Sequence, residues 1–110
     1  MIVPGVAADA AALAIPLEPL PADQVVAGTP STGFVELTDT IGVWEHTPGT
    51  STDVEADEVF VVLAGSATLS FTDSSLAPVE LRPGSVVQLT AGMHTVWTVH
   101  ETLRKVYVAG

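Results

Sequence analysis

The distribution of hydrophobic and polar residues changes character near residue 30 of this 110-residue chain. From Gly33 onward, short runs rich in β-branched and aromatic residues alternate with turn-forming clusters. The runs predict strands at Gly33–Leu37, Ile41–Thr47, Val59–Leu63, Ala67–Phe71, Val79–Leu81, Val86–Leu89, His94–Val99 and Arg104–Val108. The segments "TPGTST", "AGS", "TDSS", "RPGS", "TAGM" and "HET" read as the breaks between them. Alternation with period two is clearest where Ala67, Leu69 and Phe71 are interleaved with Thr68 and Ser70. No helical period of useful length follows residue 30. About eight short strands at roughly 8–12-residue spacing indicate an all-β sandwich or small barrel.

Residues 1–30 follow a different pattern. Ala and Pro dominate, and Pro16, Pro19 and Pro21 keep "IPLEPLPAD" extended, because each proline fixes its own φ and disfavours helix in the residue before it. One helical turn fits around Ala7–Leu13; otherwise the segment reads as an arm over the body, giving an arm at 1–30 and a barrel domain at 31–110. The arm carries no Lys or Arg at its start and prolines interrupt its apolar run, so it reads as part of the mature chain and not as a signal peptide. No stretch of about 18 uninterrupted apolar residues is present to cross a membrane.

Composition narrows the functional classes. Thirteen acidic residues against three basic ones, Arg82, Arg104 and Lys105, leave a formal charge of −10. Nucleic-acid binding requires a basic footprint, and an anionic membrane surface would repel this chain, so neither is an expected partner. The chain has no cysteine, which removes disulfides, thiolate metal sites and cysteine nucleophiles and fits a cytoplasmic protein.

"EVFVVLAGSATL", followed by "LRPGSVVQLTAGMHTVWTV", resembles the two sequence motifs of the cupins. With "GVWEHTPG", "DEVFVVLAG", "LRKVYV" and the earlier "VVAGTP", the chain looks like the small stand-alone cupins related to the cupin domain of (S)-ureidoglycine aminohydrolase, over roughly residues 25–108. The resemblance implies a double-sheet jelly-roll barrel with a small-molecule cavity, a divalent metal and hydrolysis of a ureido compound. It also implies where the metal ligands belong. Glu58 and Gly65 fit the second half of the first motif, and Gly84 and Gly92 fit the second motif, with Thr90 where proline is usual. The histidine pair belongs at 52 and 54, or at 51 and 53, where this chain has Thr52 and Val54, or Ser51 and Asp53. The third histidine and the asparagine are replaced by Thr95 and Val99, so of the usual ligands only Glu58 remains.

His94 is one residue from the motif position. A shift of one in a strand reverses the face, so Thr95, Trp97 and Val99 are expected to face the cavity and His94 the outside, unless a bulge near Gly92 re-aims it. A displaced site of His46, Glu58 and His94 holding Mn, Fe, Ni or Zn is the alternative to a barrel with no metal and no other cofactor. Glu58 is in phase with Phe60 and Val62, which favours an inward carboxylate; the other reading is a solvated acid among Asp53, Glu55 and Asp57, at a charged strand edge. An inward Glu58 must be paired, hydrogen-bonded or protonated, and could act as an acid or base. Trp44, Phe60 and Trp97 are candidate cavity walls, and His46, Thr52, Thr95 and Tyr107 candidate polar groups. Arg104 and Lys105 are adjacent and face opposite ways; one could pair with Glu58 or hold a substrate carboxylate, the plainer reading being a surface salt bridge.

Three functions follow: a small cupin binding a polar metabolite with metal-independent acid/base chemistry (isomerase, lyase or cyclase type) through Glu58; a metal-dependent enzyme with displaced ligands; or a non-enzymatic barrel filled by its own side chains. An exposed edge strand and the arm predict a homodimer.

Overall fold

The computed structural model describes residues 1–110 and is built almost wholly of antiparallel strands. They are β1 (Glu18–Pro19), β2 (Val25–Ala27), β3 (Ser31–Glu36), β4 (Ile41–His46), β5 (Gly49–Val54), β6 (Glu58–Phe71), β7 (Val79–Leu81), β8 (Val86–Leu89) and β9 (His94–Ala109). A single 3₁₀ turn, Ala22–Gln24, precedes β2. The long strands β6 and β9 pair along most of their length and bend together, so that each serves two sheets. One sheet runs β1-β3-β4-β9-β6-β8 through the C-terminal half of β9 and the N-terminal half of β6. The other runs β2-β5-β9-β6-β7 through the opposite halves. Two antiparallel sheets sharing bent strands form the jelly roll expected from the sequence.

The bend explains why two breaks expected from the sequence are not turns. "AGS" lies within β6 and "HET" within β9, and the register shifts there instead of the chain reversing. Gly65 sits at the bend with φ +88, and a Cβ on it would run into the Thr102 carbonyl of β9. A third expected break, "TPGTST", is largely strand β5. Polar residues hide it in the sequence, because its inward positions, Ser51 and Asp53, line a polar part of the interior.

Arm residues also contribute to the sheets, with β1 pairing β3 and β2 pairing β5. Further back, the chain passes along the outer side of β3, β4 and β9. Ile2 N–H donates to Leu37 O, and the Arg104 guanidinium donates to the carbonyls of Ala10 and Leu13. Gly33 has no Cβ because the Pro16 carbonyl and Ile15 side chain occupy that space.

The core lies between the sheets: Phe60, Val62 and Leu103 face Ala67, Leu69, Trp97 and Val99, with Leu81 and Leu89 closing it. Full burial of each large apolar side chain in this interior contributes roughly 1.5–3 kcal/mol. No helix is long and apolar enough to cross a membrane.

Candidate functional site

Cross-strand register brings the site together. On the inner face of the first sheet, Trp44 of β4 pairs with Lys105 of β9, which pairs in turn with Val62 of β6. Tyr107, two residues on, pairs with Gly42 and Phe60. Gly42 leaves room for it: a Cβ there would overlap the Tyr107 ring. Opposite, Trp97 pairs with Ser51, and Thr95 with Asp53.

These residues frame a cavity of about 290 Å³, lined by Trp44, Trp97, Tyr107, Phe34 and the polar groups Asp53, Glu55, Glu58 and Lys105. At its floor the Lys105 ammonium donates to Glu58 Oε1 at 2.5 Å. Its nitrogen also lies 4.5, 4.4 and 4.7 Å from the ring centroids of Trp44, Phe60 and Trp97. A lysine only 4% exposed must regain what it loses in hydration, and here one carboxylate and three aromatic faces supply it.

Glu55 forms the opposite wall. Thr95 Oγ1 and Trp97 Nε1 both donate to its Oε2, at 2.6 and 3.2 Å. Burial pushes its carboxyl above the ordinary range, and nearby Asp53 adds to this, against the two hydrogen bonds. Asp53 is likewise raised, chiefly by desolvation where its carboxyl faces the cavity, although the residue as a whole is exposed. Tyr107 is raised by burial and by the negative charges of Glu36 and Glu58.

His46 lies deeper, its ring 5.5 Å from that of Trp44. Nδ1 is 2.6 Å from Thr47 O and Nε2 is 2.8 Å from Ser51 Oγ. The carbonyl can only accept, which assigns the proton to Nδ1 and makes Ser51 the donor to Nε2. Burial lowers its pKa, with a smaller contribution from the charge of Lys105.

The candidate residues therefore divide. Glu58, Trp44, Trp97 and Tyr107 line one cavity, and Phe60 lies beneath the Lys105 ammonium. Thr95 is buried behind the wall and holds Glu55. His46 lines a smaller neighbouring space with Ser51, Trp44 and Trp97. Thr52 is absent from the main cavity: the interior positions of β5 are Ser51 and Asp53, so the motif register falls on 51 and 53.

Two readings need correction, and a third holds. Lys105 makes a buried ion pair, not a surface one, while the adjacent Arg104 holds Glu45 and the arm on the outer side. Glu55 is not a solvated edge residue but a buried acceptor. His94 is exposed, on the outer side as its one-residue offset from the motif position predicts, and no bulge re-aims it. The alternation Ser51, Asp53, Glu55 puts the three on one side of the chain, but it ends at Glu55, just past β5, too short a run to show that this side faces inward.

The residues do not fit the metal that the cupin motifs imply. Ser51, Asp53 and Thr95 stand at the histidine positions, Glu58 is engaged by an ammonium, and no three His, Asp or Glu side chains converge as a metal site. His46, Glu58 and His94 form no such group either.

Such a barrel, with a polar cavity between its sheets, defines a cupin. The EutQ-like cupin domain model matches residues 36–107, and the chain belongs to that family. No curated protein sequence matches it. Among solved structures, it resembles the EutQ protein of Clostridium difficile, at 17% identity and TM-score 0.62 over 73% of this chain and 68% of that one. A putative ethanolamine utilization protein Q from Salmonella typhimurium aligns at 13% identity and TM-score 0.60 over 87% of this chain and 94% of that one. A DUF861-family protein of unknown function from Pseudomonas syringae aligns at 22% identity and TM-score 0.74 over 93% of this chain, which spans 46% of that protein. At these identities the likeness shows the fold alone.

Proposed function

We propose that this chain is a metal-free cupin that binds a small polar metabolite in the cavity between Trp44, Trp97 and Tyr107, with Glu58 exchanging a proton with it. The Lys105–Glu58 pair carries this reading: Glu58, the one position of the cupin ligand set that this chain keeps, is held at the cavity floor by an ammonium that also packs on three rings. A cavity of about 290 Å³ lies near the lower end of the roughly 300–1,000 Å³ of small-molecule sites, so the ligand has few heavy atoms. Glu58 is a carboxylate beside a proton-bearing amine, which suits isomerisation, elimination or cyclisation without a metal. The ureido hydrolysis suggested by the sequence resemblance depends on the ligand set that this chain replaces. A reducing compartment such as the cytoplasm agrees with the lack of cysteine. The homodimer belongs to the same proposal: Val59, Val86 and Val108 leave an uncharged, exposed patch on the outer face of a chain that otherwise repels its own copies.

The test is a thermal-shift screen of small polar metabolites against the native chain and Glu58→Gln. A ligand that stabilises the native chain is expected to lose that effect with Glu58→Gln. Equal shifts in both proteins would overturn the role of Glu58.

A further inference from the structure

We propose that the cavity takes a small organic cation, a compound carrying a single ammonium group, in preference to an anion. This rests on the cavity being the ligand site argued above and names the class of its ligand.

The first reason is the balance of charge on the walls. Asp53, Glu55 and Glu58 line the cavity against a single basic group, Lys105. That ammonium is already satisfied by Glu58 at 2.5 Å and by the faces of Trp44, Phe60 and Trp97. Arg104 is engaged on the outer side, so an entering anion would meet carboxylates with no unpaired cation to receive it. His46, in the neighbouring space, is held by Thr47 and Ser51 and offers no charge.

The second reason is a count of hydrogen-bonding capacity. Asp53 uses Oδ1 to accept from the Val54 N–H, and Glu55 uses Oε2 for both Thr95 and Trp97. Asp53 Oδ2 and Glu55 Oε1 accept no hydrogen bond within the chain. Glu55 is only 8% exposed, so its unfilled acceptor belongs to the cavity and not to open solvent. Asp53 is exposed at the cavity mouth, so the enclosed Glu55 acceptor is the one that calls for a donor, and an ammonium brings three. The aromatic lining agrees: Lys105 leaves Phe34 and Tyr107 free to face a second cation.

The third reason is spacing. Although three carboxyl groups share the cavity, they do not converge closely enough to hold a metal ion. An organic ammonium needs only the enclosed Glu55 acceptor and the aromatic faces beside it, not a converging ligand set. The net charge of −10 adds a field that draws cations toward the chain.

The experiment titrates the full chain with propylammonium, propionate and 1-propanol, which share one skeleton and differ in charge. The indole N–H of Trp97, which donates to Glu55, is followed by ¹H–¹⁵N NMR. Propylammonium is expected to move that resonance and to saturate at a concentration at least about tenfold below the other two, a difference of about 1.4 kcal/mol. Asp53→Asn and Glu55→Gln are each expected to weaken it several-fold; the first keeps the test open if the second disturbs the fold. Propionate saturating first would overturn the cation class while leaving the cavity as a ligand site. Equal response to 1-propanol, or none to propylammonium, would also overturn it, whereas the cavity itself stands or falls with the Glu58→Gln screen.

Discussion

Lys105 Nζ lies 2.5 Å from Glu58 Oε1 and 4.4 Å from the centre of the Phe60 ring, so one ammonium joins the polar floor of the cavity to the apolar core beneath it. Removing it leaves Glu58, whose side chain is 17% exposed, without its partner. Lys105→Met is expected to destabilise the fold by about 2–4 kcal/mol, somewhat below a fully buried pair because Glu58 keeps some solvent. The double change Lys105→Met with Glu58→Gln is expected to recover at least about 1 kcal/mol of that loss, since no unpaired charge remains. Urea unfolding of the four proteins in the cycle measures the coupling.

His46 sets an acid limit on stability. Its ordinary pKa is 6.5, and burial holds the folded value below that. The unfolded chain therefore takes up a proton that the folded one refuses, so this contribution is complete above pH 6.5 and is lost as pH falls from there through the folded value. His46→Gln is expected to flatten the melting temperature in that window, read from thermal melts between about pH 5 and 7.5.

Glu55 acts with the opposite sign. Burial raises its carboxyl above the ordinary 4.5, so the folded chain keeps a proton that the unfolded chain has released. Stability falls as pH rises from about 4.5 through the raised value. Glu55→Gln keeps an acceptor for Thr95 and Trp97 and removes the ionisation, so the difference in melting temperature between variant and native chain should grow over that rise. A slope of the same sign remains from Asp53, whose carboxyl is also raised by desolvation.

Gly65 holds the bend on which both sheets depend. Its φ is +88, and a Cβ there would meet the Thr102 and Glu101 carbonyls of the paired strand. Gly65→Ala is expected to cost about 2–4 kcal/mol, from the unfavourable backbone region and the forced separation of β6 and β9. Chemical denaturation checks this, with Gly84→Ala as a comparison: its φ is also positive, but nothing stands within 4 Å of the added atom.

Local pattern carried most of the fold. Val79–Leu81 and Val86–Leu89 form strands at the bounds that the sequence predicts, because alternation and the Pro-Gly turn are both local signals. The continuity of β6 through Gly65, and of β9 through Thr102, was not legible, because a bulge and a turn use the same small and polar residues. β5 escaped because a polar interior gives a strand no hydrophobic face to recognise. At the site, the inward phase of Glu58, Thr95 and Trp97 follows from period two only once the motif positions at 58 and 95 say which face is inward. The partner of Lys105 depends on pairing between residues 47 positions apart, which no local pattern encodes. Glu55 lies just past the end of β5, where the period-two signal is too short to separate it from its acidic neighbours.

The most direct test of a cupin centred on an ammonium is the transition-metal content of untagged protein purified without chelator, measured per chain. The account predicts a value near zero that does not rise after soaking in Mn, Fe, Ni or Zn. A metal near one equivalent, lost on changing Glu58, His46 or His94, would contradict it.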